Sequence, residues 1–311
     1  MGRPSVARVE AGFDFVLALR HIERHWADYR TPEFWRGLNP HLTVSASPLA
    51  TARPHPAIVS DDAAASAAVQ LDRDGYLATS PVVTDARMAP IRQAMDTLAA
   101  RGIPAGFVAV YDEYYALFEG LEPLFAPILG ERYLWVAHGF WAFRVPPGDQ
   151  AINSLWAPAS PHRDSLGPDP RILAGERPGI MTVWIALTDV TPADSCIYVV
   201  PAAADRAFRS AERDVHPGQF ELQDIRAVPA QAGSVLAWST HLAHWGSRGS
   251  AASTRTRMSA TMYFQRADVP AFDASVFDPA GPVPLDDRLR WVIGALGAHD
   301  LIPRLDWGND R

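Results

Sequence analysis

The sequence predicts an α+β fold with a mainly β core, on three observations. Short β-prone runs recur from about Tyr133, separated by Pro, Gly and Asp: Tyr133–Val145, Met181–Thr188, Ser195–Val200, Ser234–Trp238 and Arg257–Gln265. Helical patterns come before these runs and do not alternate with them, which favours a sandwich or barrel over βαβ units. The run Arg257–Gln265 alternates cleanly. Met258, Ala260, Met262 and Phe264 form one face, and Arg257, Ser259, Thr261, Tyr263 and Gln265 form the other. That second face suits either solvent or the interior of a barrel.

The elements follow in order. Residues 12–36 carry Phe13, Val16, Leu17, Ile22 and Trp26 near helical spacing and predict an amphipathic helix. Residues 43–67, rich in Ala, Ser and Pro with few bulky side chains, predict a surface loop. Asp72-Arg-Asp-Gly-Tyr76 opens a new element. Residues 85–101 predict a helix capped by Thr84 or Asp85 and stopped by Gly102. Further helices are expected over 111–121 and 123–129. After the strands, residues 286–296 predict one more helix that packs through Trp291, Val292 and Leu296. No internal repeat is present.

Bulk properties narrow the chemistry. The 311 residues allow one large or two modest domains, and 48% hydrophobic content supports a sizeable core. A formal charge of −7 disfavours a nucleic-acid surface. All 28 basic residues are Arg. Without lysine there is no Schiff-base or phosphate-loop amine, so any bound anion must be held by Arg. The single cysteine, Cys196, allows neither an internal disulfide nor a thiolate zinc cluster and reads as a small buried side chain. Phe13 to Leu19 is interrupted by Asp14 and followed by Arg20, so it makes a poor secretory leader. No apolar run approaches the ~20 residues that span a bilayer, and a cytoplasmic protein is expected.

Two segments carry the chemistry. In Pro161-His162-Arg163-Asp164, an imidazole and a carboxylate stand two apart, which in extended chain puts both on one face with Arg163 pointing away. In His241-Leu242-Ala243-His244-Trp245-Gly246, either histidine could be a third ligand, but not both, since three residues apart on a strand they face opposite ways. Two His and one carboxylate with open positions form the facial triad that holds non-haem Fe(II) in oxygenases. On the polar face of the last strand, Arg257 and Ser259 converge on one place and suit a carboxylate. The kinase reading of His-Arg-Asp fails, because position 169 is Asp where Asn is required and no glycine-rich phosphate loop exists. His21 and His25 lack the HExxH order and read as a solvated helix face. No GxSxG or GxGxxG is present.

Over roughly residues 70–270 the chain resembles the phytanoyl-CoA dioxygenase-like Fe(II)/2-oxoglutarate oxygenases. The resemblance rests on pieces in the family's order. They are Leu71-Asp-Arg-Asp-Gly-Tyr76, Trp156-Ala-Pro-Ala-Ser-Pro-His-Arg-Asp164, Trp184-Ile-Ala-Leu-Thr-Asp189, Ser195-Cys-Ile-Tyr-Val-Val-Pro201, His244-Trp-Gly-Ser-Arg248 and Thr256-Arg-Met-Ser259. It implies a double-stranded β-helix, a jelly-roll or cupin-like barrel buttressed by helices. It also implies a single oxygenase domain, with an N-terminal extension over 1–68, the core over 69–270 and a helical tail over 271–311. By the same resemblance His162, Asp164 and His244 bind Fe(II), and the Trp-Gly after His244 favours it over His241. Arg257 then binds the distal carboxylate of 2-oxoglutarate, with Trp184 and Ser259 beside it. Many members carry Ser where Gly246 stands, so Ser247 or Ser259 would substitute. The spacing to Arg257 is slightly long, which keeps Arg255 as an alternative.

The implied reaction uses O2 on a small-molecule substrate and releases succinate and CO2. Because Asp164 is retained where related halogenases lose the carboxylate, hydroxylation is expected. Two other functions fit the same barrel: a non-catalytic metabolite-binding member, or a zinc or manganese isomerase or hydrolase with no need for Arg257. Phe140–Arg144, Asn153–Trp156 and Leu166–Pro178 are expected to border the pocket. The lack of a basic patch disfavours a coenzyme A thioester.

Overall fold

The computed structural model describes residues 15–49, 58–137, 139–148, 160–164, 167–212, 220–272, 275–278, 280–296 and 305–306. Ten strands are present among them: β1 (Tyr76–Pro81), β2 (Tyr133–Val136), β3 (Trp141–Val145), β4 (Ile180–Ala186), β5 (Ile197–Val200), β6 (Arg226–Val228), β7 (Ser234–Ser239), β8 (Ala243–Gly246), β9 (Arg257–Arg266) and β10 (Val276–Phe277). The larger sheet has the order β1-β7-β4-β9-β2-β10, with β3 also on β9, and the smaller has the order β6-β5-β8. Every pairing between these strands is antiparallel. His162 extends the smaller sheet by exchanging backbone hydrogen bonds with His244 at 3.0 and 2.9 Å.

From β3 onward the chain alternates between the sheets: larger at β3, smaller at His162, larger at β4, smaller at β5 and β6, larger at β7, smaller at β8, larger at β9. That alternation is the double-stranded β-helix, a jelly roll with a mixed α/β surround. The two faces of the larger sheet have separate cores. Met181, Val183, Ile185, Ala237, Met258, Ala260, Met262 and Phe264 pack outward against the helices. Trp184, Ala186, Ile197, Val199, Leu236 and Trp238 pack between the sheets.

The helices deviate from expectation in instructive ways. The single helix expected over 12–36 is three: α1 (Phe15–Arg24), α2 (Trp26–Tyr29) and α3 (Pro32–Leu38), with residues 12–14 outside the described set. Pro32 forces Thr31 out of the helical region, and Thr31 then caps α3 through the Phe34 N–H. The expected loop over 43–67 is corrected in its second half by α4 (Asp61–Asp74). Ser60 caps it, Asp61 and Asp62 sit in the first turn, and the small Ala64, Ala67 and Ala68 are its buried face. Asp72-Arg-Asp-Gly-Tyr76 therefore ends an element before starting one. Gly75 takes a left-handed φ of 78° and leads into β1.

The remaining helices are α5 (Asp85–Ala99), α6 (Asp112–Ala116), α7 (Glu122–Leu129), α8 (Pro170–Leu173) and α9 (Leu285–Ala295). The helix expected over 111–121 is thus only its first turns. In α9, Val292 is buried, as is Leu296 just beyond it, and Trp291 packs at the core's edge. Among the described residues no helix is long and apolar enough to cross a membrane.

Arg288 on α9 is fully buried and ties distant segments together. Its guanidinium donates to the carbonyls of Val283, Val110 and Ser45 and to Asp112 Oδ1 at 2.7 Å. Arg288→Met should cost about 3–5 kcal/mol, since it strands Asp112 in the core. Chemical denaturation of the variant against the parent measures this.

Candidate active site

The interior of the barrel holds a cleft of about 850 Å³, counting its open mouth. Its lining obeys strand parity: Trp141 and Phe143 of β3, Thr182 and Trp184 of β4, His244 and Gly246 of β8, and Arg257, Thr261 and Tyr263 of β9. The polar face of β9 thus looks inward, and all ten of its residues except Arg266 are buried.

His162, Asp164 and His244 meet here, with one ligand atom from each within 4.8 Å of the others. The Nε2 of His244 lies 3.7 Å from Asp164 Oδ1. Each imidazole is oriented through its other nitrogen. His162 Nδ1 lies 2.9 Å from the Ser160 carbonyl, and His244 Nδ1 lies 3.0 Å from that of Leu242. A carbonyl at Nδ1 fixes the proton there and leaves the lone pair on Nε2, as a ligating histidine requires. Burial and the neighbouring His244 push the His162 pKa down to about 4, against a smaller opposing pull from Asp164. His162 is therefore neutral at ordinary pH. Two imidazole nitrogens and one carboxylate oxygen suit iron.

The structure separates the alternatives that the sequence left open. His241 is fully buried but outside the cluster: its Nε2 accepts from the Asp169 N–H at 2.7 Å and its Nδ1 donates to the Phe208 carbonyl at 2.8 Å. Arg163 turns away from both neighbours and makes a bidentate pair with Asp205, at 2.6 and 3.1 Å, plus a bond to the His241 carbonyl. Arg255 is half exposed and faces Asp189 and Asp194.

Arg257 is buried inside the barrel. Its guanidinium lies 5.4 Å from the ring centres of both Phe143 and Trp184. Its two ends reach Ser195 Oγ and Ser259 Oγ, each at 3.4 Å, and Nε has no partner. Among the described residues no carboxylate lies within ion-pair distance of it. Burial pulls its pKa down to about 10, which still leaves it cationic.

Sequence reasoning missed several residues. Ser195 is the single non-glycine residue with positive φ among those described, at 64°, and its hydroxyl also bonds the Ser247 carbonyl. The Phe143 ring also lies beside Arg257, its centre 5.4 Å from the guanidinium. Thr182, Trp238 and Tyr263 hydrogen-bond to Asp164. Tyr263 was within reach, because it shares the polar face of Arg257. Phe143 lay in a segment expected at the pocket, whereas Thr182 and Trp238 needed the pairing register. Of the segments expected at the pocket, Phe140–Arg144 contributes Trp141 and Phe143, while Asn153–Trp156 lies outside the described residues. The described part of Leu166–Pro178 does not line the cleft. Ile172 and Gly175–Pro178 border a separate polar hollow instead.

Comparison with known proteins gives one family match. Residues 153–258 match the model for phytanoyl-CoA dioxygenase (PhyH). No curated protein matches the chain. Similar solved structures include AviO1 from Streptomyces viridochromogenes Tue57, at 18% identity over 67% of this chain and 96% of that one, with a TM-score of 0.47. The non-haem alpha ketoglutarate dependent carbocyclase SnoK from nogalamycin biosynthesis aligns at 18% identity over 70% and 88%, TM-score 0.48. The non-haem monooxygenase ThoJ aligns at 16% identity over 76% and 98%, TM-score 0.49.

The low pKa of His162 has a measurable sign. As pH falls below about 6.5, the unfolded chain takes up a proton at this residue that the folded chain refuses until about 4. The group's contribution, full above pH 6.5, should be lost progressively between those values in metal-free protein. In His162→Gln the dependence of stability on pH over that window should be shallower. Denaturation midpoints across pH 4–7 check it.

Proposed function

We propose that this chain, whose residues 153–258 match the phytanoyl-CoA dioxygenase model, is an Fe(II)- and 2-oxoglutarate-dependent oxygenase that hydroxylates a small molecule. The observation that carries this reading is the pairing, in one cleft, of a His-Asp-His cluster with a buried arginine that has no carboxylate partner among the described residues. His162, Asp164 and His244 hold the iron. Arg257 receives the distal carboxylate of 2-oxoglutarate. Iron with 2-oxoglutarate and O2 supplies the oxidising power, with succinate, CO2 and a hydroxylated product as the outcome.

The protein's own residues orient and insulate. Trp184 and Phe143 each place a ring within cation–π reach of the guanidinium and shield it from solvent. Ser195 and Ser259 hold the ends of the fork, and a carboxylate arriving there gains hydrogen bonds in a site with little competing water. A planar fork cannot be replaced by an ammonium with the same geometry, so Arg257→Lys is not conservative here. Retention of Asp164 favours hydroxylation over halogenation. The aromatic wall of Trp141, Phe143, Trp184, Trp238 and Tyr263 keeps water from the reacting centre.

Anaerobic addition of Fe(II) and then 2-oxoglutarate should produce a visible metal-to-ligand charge-transfer band. Metal binding without that band would remove 2-oxoglutarate from the reading. Asp164→Ala should abolish 2-oxoglutarate turnover, measured as succinate released, and full activity would reject the cluster as the iron site. Arg257→Ala should raise the KM for 2-oxoglutarate by roughly 30-fold or more, corresponding to about 2 kcal/mol or above. An unchanged KM would place the cosubstrate elsewhere.

A further inference from the structure

Asp164 is gripped on both oxygens from the sheet opposite the two histidines. Thr182 donates to Oδ2 at 2.5 Å and Trp238 Nε1 donates to the same oxygen at 3.2 Å. The Tyr263 hydroxyl donates to Oδ1 at 2.9 Å, and Oδ1 is also the oxygen that faces His244. These donors are not scattered. The register pairs Thr182 with Trp238 on one side and with Tyr263 on the other, so the three form a single cross-strand row over β7, β4 and β9. All three are buried.

We infer that this Trp238–Thr182–Tyr263 row presents Asp164 to the metal through one oxygen, with Tyr263 the positioning residue on the ligating side. The inference rests on the metal reading above. An untethered carboxylate can turn about its last bond and ligate through either oxygen or both. Two-oxygen ligation would fill a position that the facial arrangement leaves open. Two donors on Oδ2 occupy the lone pairs needed for that second contact. The phenol on Oδ1 fixes the angle at which the remaining lone pair meets the ion. Outer-shell partners of this kind commonly alter metal affinity by 10–100-fold. Tyr263 also couples the metal ligand to the strand that carries Arg257, so both halves of the cleft share one rigid element.

The test uses Co(II) as a spectroscopic probe with the full chain and no turnover. Tyr263→Phe keeps the ring and removes only the hydroxyl. Thr182→Val does the same on the Oδ2 side and stands in should Tyr263→Phe fail to fold. Each metal-free variant should melt within about 2–4 °C of the parent, the shift expected for about 1 kcal/mol. Each should bind Co(II) about 10-fold or more weakly, and the visible Co(II) absorption should change in shape, reporting a changed ligand set. A folded variant with Co(II) affinity within twofold of the parent and the same spectrum would overturn the positioning role while leaving the metal site intact. A parent that binds no Co(II) and no Fe(II) would overturn the metal reading and this inference together.

Discussion

The structure depends on a single constraint: β9 runs between β4 on one side and β3 and β2 on the other, which confines the side chains of Arg257 to Gln265 to its two faces. Each must go outward into the helices or inward into the barrel. The outward set is Met258, Ala260, Met262 and Phe264, which explains why the helices lie where they do: that face would otherwise expose a large apolar area. The inward set is polar, and polar groups buried in a barrel must be satisfied by one another or by a ligand. The site is what remains after that accounting.

Buried arginines show the accounting at work. Arg163, Arg257 and Arg288 are all buried, in a chain whose every basic residue is Arg. Arg163 is neutralised by Asp205 and Arg288 by Asp112. Both of those ion pairs stitch segments far apart in sequence, and each carboxylate would be stranded without its partner. Arg257 breaks the pattern. It has two aromatic rings and two hydroxyls beside it but no carboxylate partner among the described residues. Burying a cation in this way is costly unless an anion arrives. The disparity between Arg257 and the other two is the physical reason to read it as a binding group and the other two as struts.

Much of this was legible in the sequence, where periodicity and residue chemistry were strong. The alternation of Arg257–Gln265 gave the strand, its inward face and the pairing of Arg257 with Ser259. The two-residue spacing of His162 and Asp164 placed both at one cluster and turned Arg163 away. What was not legible has physical causes. The start of helix α4 carries little hydrophobic signal in the sequence, because its buried face is alanine, which has helix propensity but a small apolar side chain. His241 and His244 could not be separated by residue type, since only the fold shows that His241 spends both nitrogens on backbone groups. Ser195 was invisible because nothing in its neighbours marks a left-handed turn at a non-glycine residue.

The two sheets contribute different residues to the cleft. The smaller sheet supplies the imidazoles: the His162–His244 backbone bridge locks their spacing, and the ring centres stand 4.4 Å apart. The larger sheet supplies the buried Arg257 on β9 and the hydrogen-bond donors that reach across to Asp164. Asp164 belongs by sequence to the first sheet's segment and by hydrogen bonding to the second. It therefore ties the two halves of the barrel together inside the cleft. A shift of either sheet by one residue would invert every inward side chain and dissolve the cluster, the arginine pocket and the outer hydrophobic face together. Fold and site are thus specified by the same alternation.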